Sequence, residues 1–156
     1  MKTSNTYTPL LIFLCLVVFS CTSEWNQNIL LKSWSGPYMG TPAFDKMQVT
    51  DVKPAMLKAM ELNLSEIEAI ATNPEPPSFE NTIVAMERSG KVLDRAFTYY
   101  GIFSSNMSSP EFREVQTELA PLFSEFQSKI TQNEQLFQRI KTVYEASKTK
   151  PLEADQ

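Results

Sequence analysis

Residues 79–103 read FENTIVAMERSGKVLDRAFTYYGIF and carry the strongest structural signal in the chain. Apolar residues recur there every three or four positions, which is the period of one helix face. The members of this face are Phe79, Ile83, Met86, Gly90, Leu93, Phe97, Tyr100 and Phe103. The spacing predicts a single amphipathic helix of about seven turns, capped by Ser78. Because Gly90 lies within the apolar face, we expect a close helix–helix crossing there rather than a hinge.

The segment before this helix predicts another helix of the same kind. It begins near Val52, after a cap from Thr50 or Asp51, and Pro54 falls in its first turn, where a missing N–H costs little. Its predicted buried face consists of Leu57, Met60, Leu64, Ile67 and Ala71. The proline-rich stretch 73–77 must end it, since proline removes backbone donors and disfavours helical geometry in the residue before it.

A third helix is predicted downstream of residues 104–108. Ser109 has the chemistry of an N-cap, and Pro110 suits the first helical position. The predicted apolar stripe contains Phe112, Val115, Leu119, Phe123, Phe126 and Ile130. Pro121 falls inside the stripe and predicts a kink or a break in this helix.

The fourth predicted helix starts near Thr131 or Asn133, and Thr131 with Glu134 fits a capping box. Its inward residues are predicted to be Leu136 or Phe137, Ile140 and Tyr144. Short connections between consecutive helices imply an antiparallel arrangement. The fold class is therefore predicted to be all-α, with about four helices in a region spanning residues 51–146. Residues 147–156 look like the truncated start of a further helix.

The first twenty residues have the features of a secretory signal, namely a basic Lys2 followed by the apolar run Leu10–Phe19. The run is too short to span a bilayer, which needs about 20 apolar residues. Residues 18–21, Val-Phe-Ser-Cys, resemble a bacterial lipoprotein box. We therefore expect residues 1–20 to be removed and Cys21 to be lipidated. A plain cleaved signal and an uncleaved anchor remain as alternatives.

Cysteine usage favours the lipidated form. Cys15 would be lost with the leader, which leaves Cys21 without a partner for a disulfide. Residues 21–50 are then a lipidated tether followed by an extended segment. The predicted location is the bacterial cell envelope, with the chain anchored in a membrane and facing the periplasm or the outside.

Composition and charge exclude several functions. The chain has a formal net charge of −4 and no basic cluster, so we expect no nucleic-acid partner. It contains no histidine, which removes serine or cysteine catalysis through an imidazole and leaves a hydrolytic zinc site without its usual ligands. The carboxylate pairs Glu66/Glu68 and Glu111/Glu114 are interpreted as solvated helix faces. We therefore predict no catalytic residue, no metal ligand and no cofactor in this chain.

Residues 76–90, PPSFENTIVAMERSG, closely resemble a segment of the peptidyl-dipeptidases, also called dipeptidyl carboxypeptidases. These enzymes belong to the thimet oligopeptidase-like family of zinc metallopeptidases. The segments 36–45, 104–111 and 118–121 resemble the same family, and the similarity covers roughly residues 30–155.

The resemblance implies the N-terminal part of a large helical peptidase in which two helical halves enclose a channel. Such enzymes use zinc and release C-terminal dipeptides from short peptides. The helices present here would form part of the lid, and the partner would be the missing catalytic half. No catalytic residue of the family matches a position in this sequence, so the chain alone is predicted to be inactive, although its parent family is enzymatic.

A second hypothesis is a stand-alone helical lipoprotein that binds peptides or another protein, with the membrane as a further partner through the lipid anchor. A protein of that kind should carry polar residues wherever the parent enzyme buries apolar ones. The aromatic residues of the predicted helices show no such replacement, which favours an N-terminal fragment of a peptidase.

Overall fold

The computed structural model describes residues 28–35 and 40–149. The helices of this part are α1 (Val49–Ala71), α2 (Ala85–Arg88), α3 (Lys91–Ser105), α4 (Pro110–Thr131) and α5 (Glu134–Ser147). A 3-10 turn at Ile29–Leu31 precedes α1, and a π-helical segment at Phe79–Val84 leads into α2. No strand occurs among the described residues, and the predicted all-α class is confirmed.

Helix α1 is the central element, because α3, α4, α5 and the 3-10 turn all pack against it. Its buried face consists of Val52, Ala55, Met56, Ala59, Met60, Asn63, Ile67, Ile70 and Ala71. Three of the five predicted core positions lie on this face, whereas Leu57 is 40% exposed and Leu64 is half-buried. Ala55 and Ala59 are completely buried, so neighbouring elements approach α1 closely along the alanine side.

The start of α1 differs from the prediction. The helix begins at Val49, and its N-cap Gln48 makes no side-chain capping bond, so the proposed caps Thr50 and Asp51 are wrong. The amide N–H of Asp51 donates to the carbonyl of Gln48 (3.1 Å), and the carbonyl of Asp51 accepts from Asn28 Nδ2 (2.9 Å). The beginning of α1 is thus tied to the segment that precedes it in the chain rather than to a local cap.

The single helix predicted for residues 79–103 is broken at Ser89 and Gly90. Gly90 has φ 75°, in the left-handed region, where a residue without Cβ is strongly favoured. Its amide donates to Glu66 Oε2 of α1 at 2.6 Å, while the Ser89 hydroxyl donates to the carbonyl of Met86 at 2.7 Å. Because these contacts satisfy the groups freed by the break, the helix can stop after Arg88 and restart at Lys91. The chain does approach α1 closely at Gly90, since a Cβ there would lie 3.2 Å from Asn63 Nδ2, but the approach occurs at a helix break and not within an unbroken helix.

Helices α4 and α5 confirm one predicted cap and correct another. Ser109 Oγ accepts from the amide of Phe112 at 3.2 Å, as expected for an N-cap. The prediction at Pro121 was a kink or a break, and α4 continues through this residue without a break. The cap of α5 is Asn133, whose Oδ1 accepts from the amide of Leu136 at 2.9 Å. Thr131 belongs to the end of α4, and its hydroxyl donates to the carbonyl of Gln127 (3.0 Å) instead of forming a capping box.

The core is divided into two clusters along α1. The larger surrounds the N-terminal half of α1 and contains Leu30, Leu31, Met47, Val52, Ala55, Met56, Ala59, Met60, Leu93, Ala96, Tyr99, Phe103, Phe112 and Leu119. The smaller lies at the C-terminal end of α1 and contains Ile67, Ile70, Ala71 and Leu136. The 3-10 turn, α3 and α4 pack around the first cluster, and α5 packs against the second.

Candidate interaction surface

The most exposed large apolar side chains of α5 lie on one flank of the helix. Phe137 is 53% exposed and Tyr144 is 60% exposed, and Ile140 between them is half-buried. The prediction that Tyr144 faces inward is therefore wrong. The inner face is occupied instead by Leu136, Arg139 and Val143, because α5 packs against the end of α1 and the π-helical segment along a narrow strip. We call Phe137, Ile140 and Tyr144 the α5 flank; Ile140 is its inner edge, because this side chain also packs against the smaller core cluster.

Two lysines border this flank. Lys148 Nζ lies 4.5 Å from the centroid of the Tyr144 ring and is also paired with Glu145 (2.9 Å). Lys141 is exposed, and no ion pair joins it to another residue in the described part of the chain. The α5 flank is thus an apolar strip bordered by Lys141 and by the Lys148–Glu145 ion pair.

A second apolar feature is a groove of about 290 Å³ between α1 and α4. Its apolar lining is formed by Leu57, Met60, Leu64, Leu122 and Phe126. The charged residues on its margin already have partners: Glu61 binds Lys58 at 2.6 Å, and Glu125 binds Lys129 at 2.7 Å. The hydrogen bond and charge of Lys129 lower the pKa of Glu125. Since the charged residues at the edge of the groove pair with each other, the groove could fit an apolar ligand but would select little for the charge of that ligand.

The aromatic residues of α3 and α4 form a cluster that is mostly core. Phe103, a member of the predicted helix face, is 3% exposed and belongs to the core. Tyr99, which the predicted face omits, is 1% exposed, whereas Tyr100 of that face is only half-buried. The Tyr99 hydroxyl accepts from the amide of Ala43 at 2.9 Å and so holds the segment before α1. Phe97 remains 39% exposed at the edge, with its ring centroid 5.4 Å from that of Phe123.

Arg139 is a structural residue that the sequence interpretation missed. It is only 7% exposed and donates to the carbonyls of Asn73 (2.8 Å) and Glu75 (3.1 Å) and to Asn81 Oδ1 (2.9 Å). Asn81 also binds the amide of Ser78, so α5 is connected directly to the proline-rich stretch. The available signal was the position of Arg139 three residues after Leu136, on the buried face of α5, where a cation requires hydrogen-bond acceptors.

The carboxylate pairs make structural contacts rather than a catalytic site. Glu66 accepts from the amide of Gly90, and Glu68 accepts from Asn133 Nδ2 at 3.4 Å. The pKa of Glu111 is lowered by hydrogen bonds from Ser109 and from its own backbone amide. In residues 28–35 and 40–149, no three His, Cys, Asp or Glu side chains are placed to hold a metal ion. With no imidazole and no carboxylate cluster, these residues do not fit a hydrolytic zinc site.

Comparison with known proteins finds relatives but no matching family model. Over 119 residues the chain is 29% identical to dipeptidyl carboxypeptidase of Escherichia coli, a match that covers 76% of this chain and 17% of that protein. It is 31% identical over 110 residues to oligopeptidase A of Salmonella typhimurium, which covers 70% of this chain and 15% of that protein. The chain thus spans less than a fifth of the length of these relatives.

The predicted location as a membrane-anchored lipoprotein of the cell envelope is wrong. The relatives are named as peptidases and not as envelope lipoproteins. As a separate observation, residues 28–35 and 40–149 contain no helix long and apolar enough to cross a membrane. The prediction rested on the basic Lys2, the apolar run Leu10–Phe19, the tetrapeptide at residues 18–21, in which Phe19 is bulkier than the usual residue, and the unpaired Cys21. The leader and Cys21 lie outside the described residues.

Relatives with two different names match most of the chain at about the same level of identity. These names are dipeptidyl carboxypeptidase and oligopeptidase A. The similarity to these relatives therefore covers more of the chain than residues 76–90. The chain belongs to the peptidase family that includes dipeptidyl carboxypeptidase and oligopeptidase A, the thimet oligopeptidase-like family.

Proposed function

We propose that the described helices are the N-terminal, access-restricting part of a zinc peptidase that releases dipeptides from the C-termini of short peptides. The similarity to dipeptidyl carboxypeptidase over 119 residues carries this proposal. The partner implied by the proposal is the catalytic part of the same kind of enzyme, and the substrates are short peptides.

The contribution of these helices is steric rather than chemical. The described residues do not fit a zinc site, and they contain no nucleophile paired with an imidazole base. A wall of packed helices can limit which substrates reach an active site and can exclude bulk water from it. Helix α1, buried by three other helices and by the 3-10 turn, is a rigid element suited to such a wall.

Exposed aromatic residues favour this function over a stand-alone module. Phe137 and Tyr144 are aromatic although they are 53% and 60% exposed. A protein selected to act alone would gain solubility from polar residues at these positions. The presence of exposed aromatic side chains at these positions supports the proposal that another part of a peptidase covers this surface.

A chimera tests the proposal. Residues 28–149 would replace the aligned segment in dipeptidyl carboxypeptidase of Escherichia coli, with a version lacking that segment as the control. We expect the chimera to release dipeptides from a short peptide while leaving a small folded protein uncut, and the deletion control to lose activity or this discrimination. A chimera that behaves like the deletion control would contradict the proposal.

The isolated 156-residue chain provides the complementary measurement. We expect it to release no dipeptide from a short peptide, with or without added zinc, because the described residues supply no metal ligands. Zinc-dependent cleavage by the purified chain would overturn the assignment of a steric role.

A further inference from the structure

We propose that the α5 flank is the docking surface for an amphipathic helix in the catalytic part of the peptidase, and that this helix carries carboxylates beside its apolar stripe. The inference rests on the proposed function, since it names the surface through which these helices join the rest of the enzyme. It identifies Phe137 and Tyr144 as the anchoring side chains and Lys141 as the residue that selects the charge of the partner.

The spacing of the flank fits a helix as the occupant. Phe137, Ile140 and Tyr144 follow one another at intervals of three and four residues along α5, which runs from Glu134 to Ser147. This interval produces a straight apolar seam of the type that packs against a second helix by knobs-into-holes contacts. A seam that runs along two turns of a helix matches the side-chain spacing of another helix better than that of an extended peptide or a small molecule.

The exposure of the flank shows that its apolar surface exceeds what the described residues cover. The inner face of α5 is already complete, with Leu136 at 3% and Val143 at 7% exposure. Phe137 and Tyr144 extend the apolar arc beyond this inner face without contributing to it. Large aromatic residues supply much of the binding free energy when a partner buries them, and they are the residue types enriched at the centres of interfaces.

The positive charge of Lys141 beside the flank indicates which charge the partner helix should carry. Lys148 lies over the Tyr144 ring and is neutralised by Glu145, but Lys141 has no ion pair within the described residues. Lys141 follows Phe137 by four residues and precedes Tyr144 by three, so it stands beside the middle of the seam. A carboxylate flanking the apolar stripe of the incoming helix would pair with it, in the manner of charged residues that border a coiled-coil seam.

The same charge disfavours a second copy of this chain as the occupant. In a two-fold symmetric contact the same patch meets itself, so the Lys141 side chains of both copies would come together near the centre. Like charges in that position weaken association. The relatives, in contrast, contain more than four-fifths of their length outside the matched segment, which is ample chain to supply a complementary helix.

The test combines the full 156-residue chain with dipeptidyl carboxypeptidase of Escherichia coli from which the aligned segment has been removed. Binding would be measured by sedimentation velocity and titration calorimetry, together with restoration of dipeptide release. The double variant Phe137→Gln/Tyr144→Gln keeps good helix formers at exposed positions, and circular dichroism verifies its helix content. Phe97→Gln serves as the matched control, because Phe97 is also an exposed aromatic residue but lies on α3.

We expect the double variant to weaken binding by about 30-fold or more, as for loss of interface-centre aromatics, and the Phe97 variant to bind like the unaltered chain. Lys141→Glu should weaken binding and make it less sensitive to salt, whereas Lys141→Arg should preserve it. Equal binding by all variants would overturn the assignment of the α5 flank while leaving the proposed function intact. Failure of the unaltered chain to bind would also overturn this docking surface, and the covalent chimera then decides the proposed function separately.

Sedimentation of the chain alone tests two other possible occupants of the α5 flank, a second copy of the chain and the chain's own residues 150–156. A dimer that disappears in the Phe137→Gln/Tyr144→Gln variant would identify a second copy as the occupant and overturn our choice. Protection of the Phe137 and Tyr144 rings that is lost when residues 150–156 are removed would identify that segment of the same chain instead.

Discussion

The two ends of helix α1 are held by different physical forces. Its N-terminal half packs into a large apolar and aromatic cluster in which Met56 and Phe112 are completely buried. Its C-terminal half contacts a small apolar cluster and is joined by Glu66 to the amide of Gly90, while Arg139 binds carbonyls in the stretch that follows the helix. We call these the apolar end and the polar end.

The difference shows how each end should respond to perturbation. Burial stabilises in proportion to the area removed from water, so the apolar end should tolerate the loss of any single hydrogen bond but suffer from a cavity. Hydrogen bonds of buried groups depend on matched partners, so the polar end should fail when one donor is removed. Local opening is therefore expected first at the proline-rich stretch 73–77 and the break at Gly90.

The largest expected effect is a cavity at the apolar end. Phe112→Ala removes a ring that is 0% exposed and lies 5.4 Å from Phe103 and 5.3 Å from Tyr100, measured between ring centroids. We expect the free energy of unfolding to fall by about 3–5 kcal/mol in urea denaturation. Phe137→Ala, at a ring that is 53% exposed, is the matched control and should cost less than about 1 kcal/mol. Equal losses of unfolding free energy in the two variants would show that Phe137 contributes to stability as a core residue does.

The polar end is tested by Arg139→Met. The substitution keeps a long apolar stem but removes the donors to the carbonyls of Asn73 and Glu75 and to Asn81 Oδ1. We expect a loss of about 1–3 kcal/mol, with faster amide hydrogen exchange confined to the region 73–82. Arg113→Met, at an exposed arginine of α4, should leave both quantities unchanged. Faster exchange throughout the apolar end would mean that the two ends unfold as one unit.

Gly90, which precedes α3, and Gly101, which lies inside it, should respond in opposite directions to substitution by alanine. Gly90→Ala forces a Cβ into a residue with φ 75° and to 3.2 Å from Asn63 Nδ2, so we expect destabilisation by about 1–2 kcal/mol. Gly101→Ala places a Cβ in open space inside α3, so stabilisation by about 0.5–1 kcal/mol is expected. Thermal unfolding of both variants shows whether each substitution raises or lowers the stability of the protein. A stabilising Gly90→Ala would restore the uninterrupted helix that the sequence alone predicted.

The smallest expected effect is electrostatic and lies at the start of α4. A hydrogen bond from Ser109 is the main reason that the pKa of Glu111 is lowered. Because the folded-state pKa lies below that of the unfolded chain, the contribution to stability is present above the unfolded pKa and disappears as the pH falls through the folded pKa. Carboxyl titration by NMR should show that Ser109→Ala raises the pKa of Glu111. The same variant should leave Glu125, whose pKa is lowered by Lys129, unchanged; a shift of both would indicate a general change in α4.

Much of the helical framework could be predicted from local patterns. The caps Ser78 and Ser109 are where the sequence places them, because a cap and its helix amide lie three residues apart in the chain. The break at Gly90 could not be predicted in this way. It depends on Glu66, which lies 24 residues earlier and reaches Gly90 only after α1 and α3 have packed together.

The candidate surface was only partly predictable. The sequence pattern placed Leu136 or Phe137, Ile140 and Tyr144 on the inward face of one helix, whereas the structure leaves Phe137 and Tyr144 exposed. The apolar arc of α5 is wider than the strip that α1 and the π-helical segment contact, so Leu136 is buried while Phe137, the next residue, is exposed. Arg139 shows the converse, since a polar residue was buried where a neighbouring loop offered carbonyl acceptors.

The sequence by itself determined the all-α class, the approximate positions of the helices and membership of the peptidase family, because helical periodicity, capping chemistry and family motifs are all local. Tertiary structure alone decided which flank of each helix is covered, where the long predicted helix breaks, and which polar groups replace apolar contacts at the end of α1. These features depend on residues that are distant in the chain, and only packing brings their side chains within hydrogen-bonding or van der Waals distance.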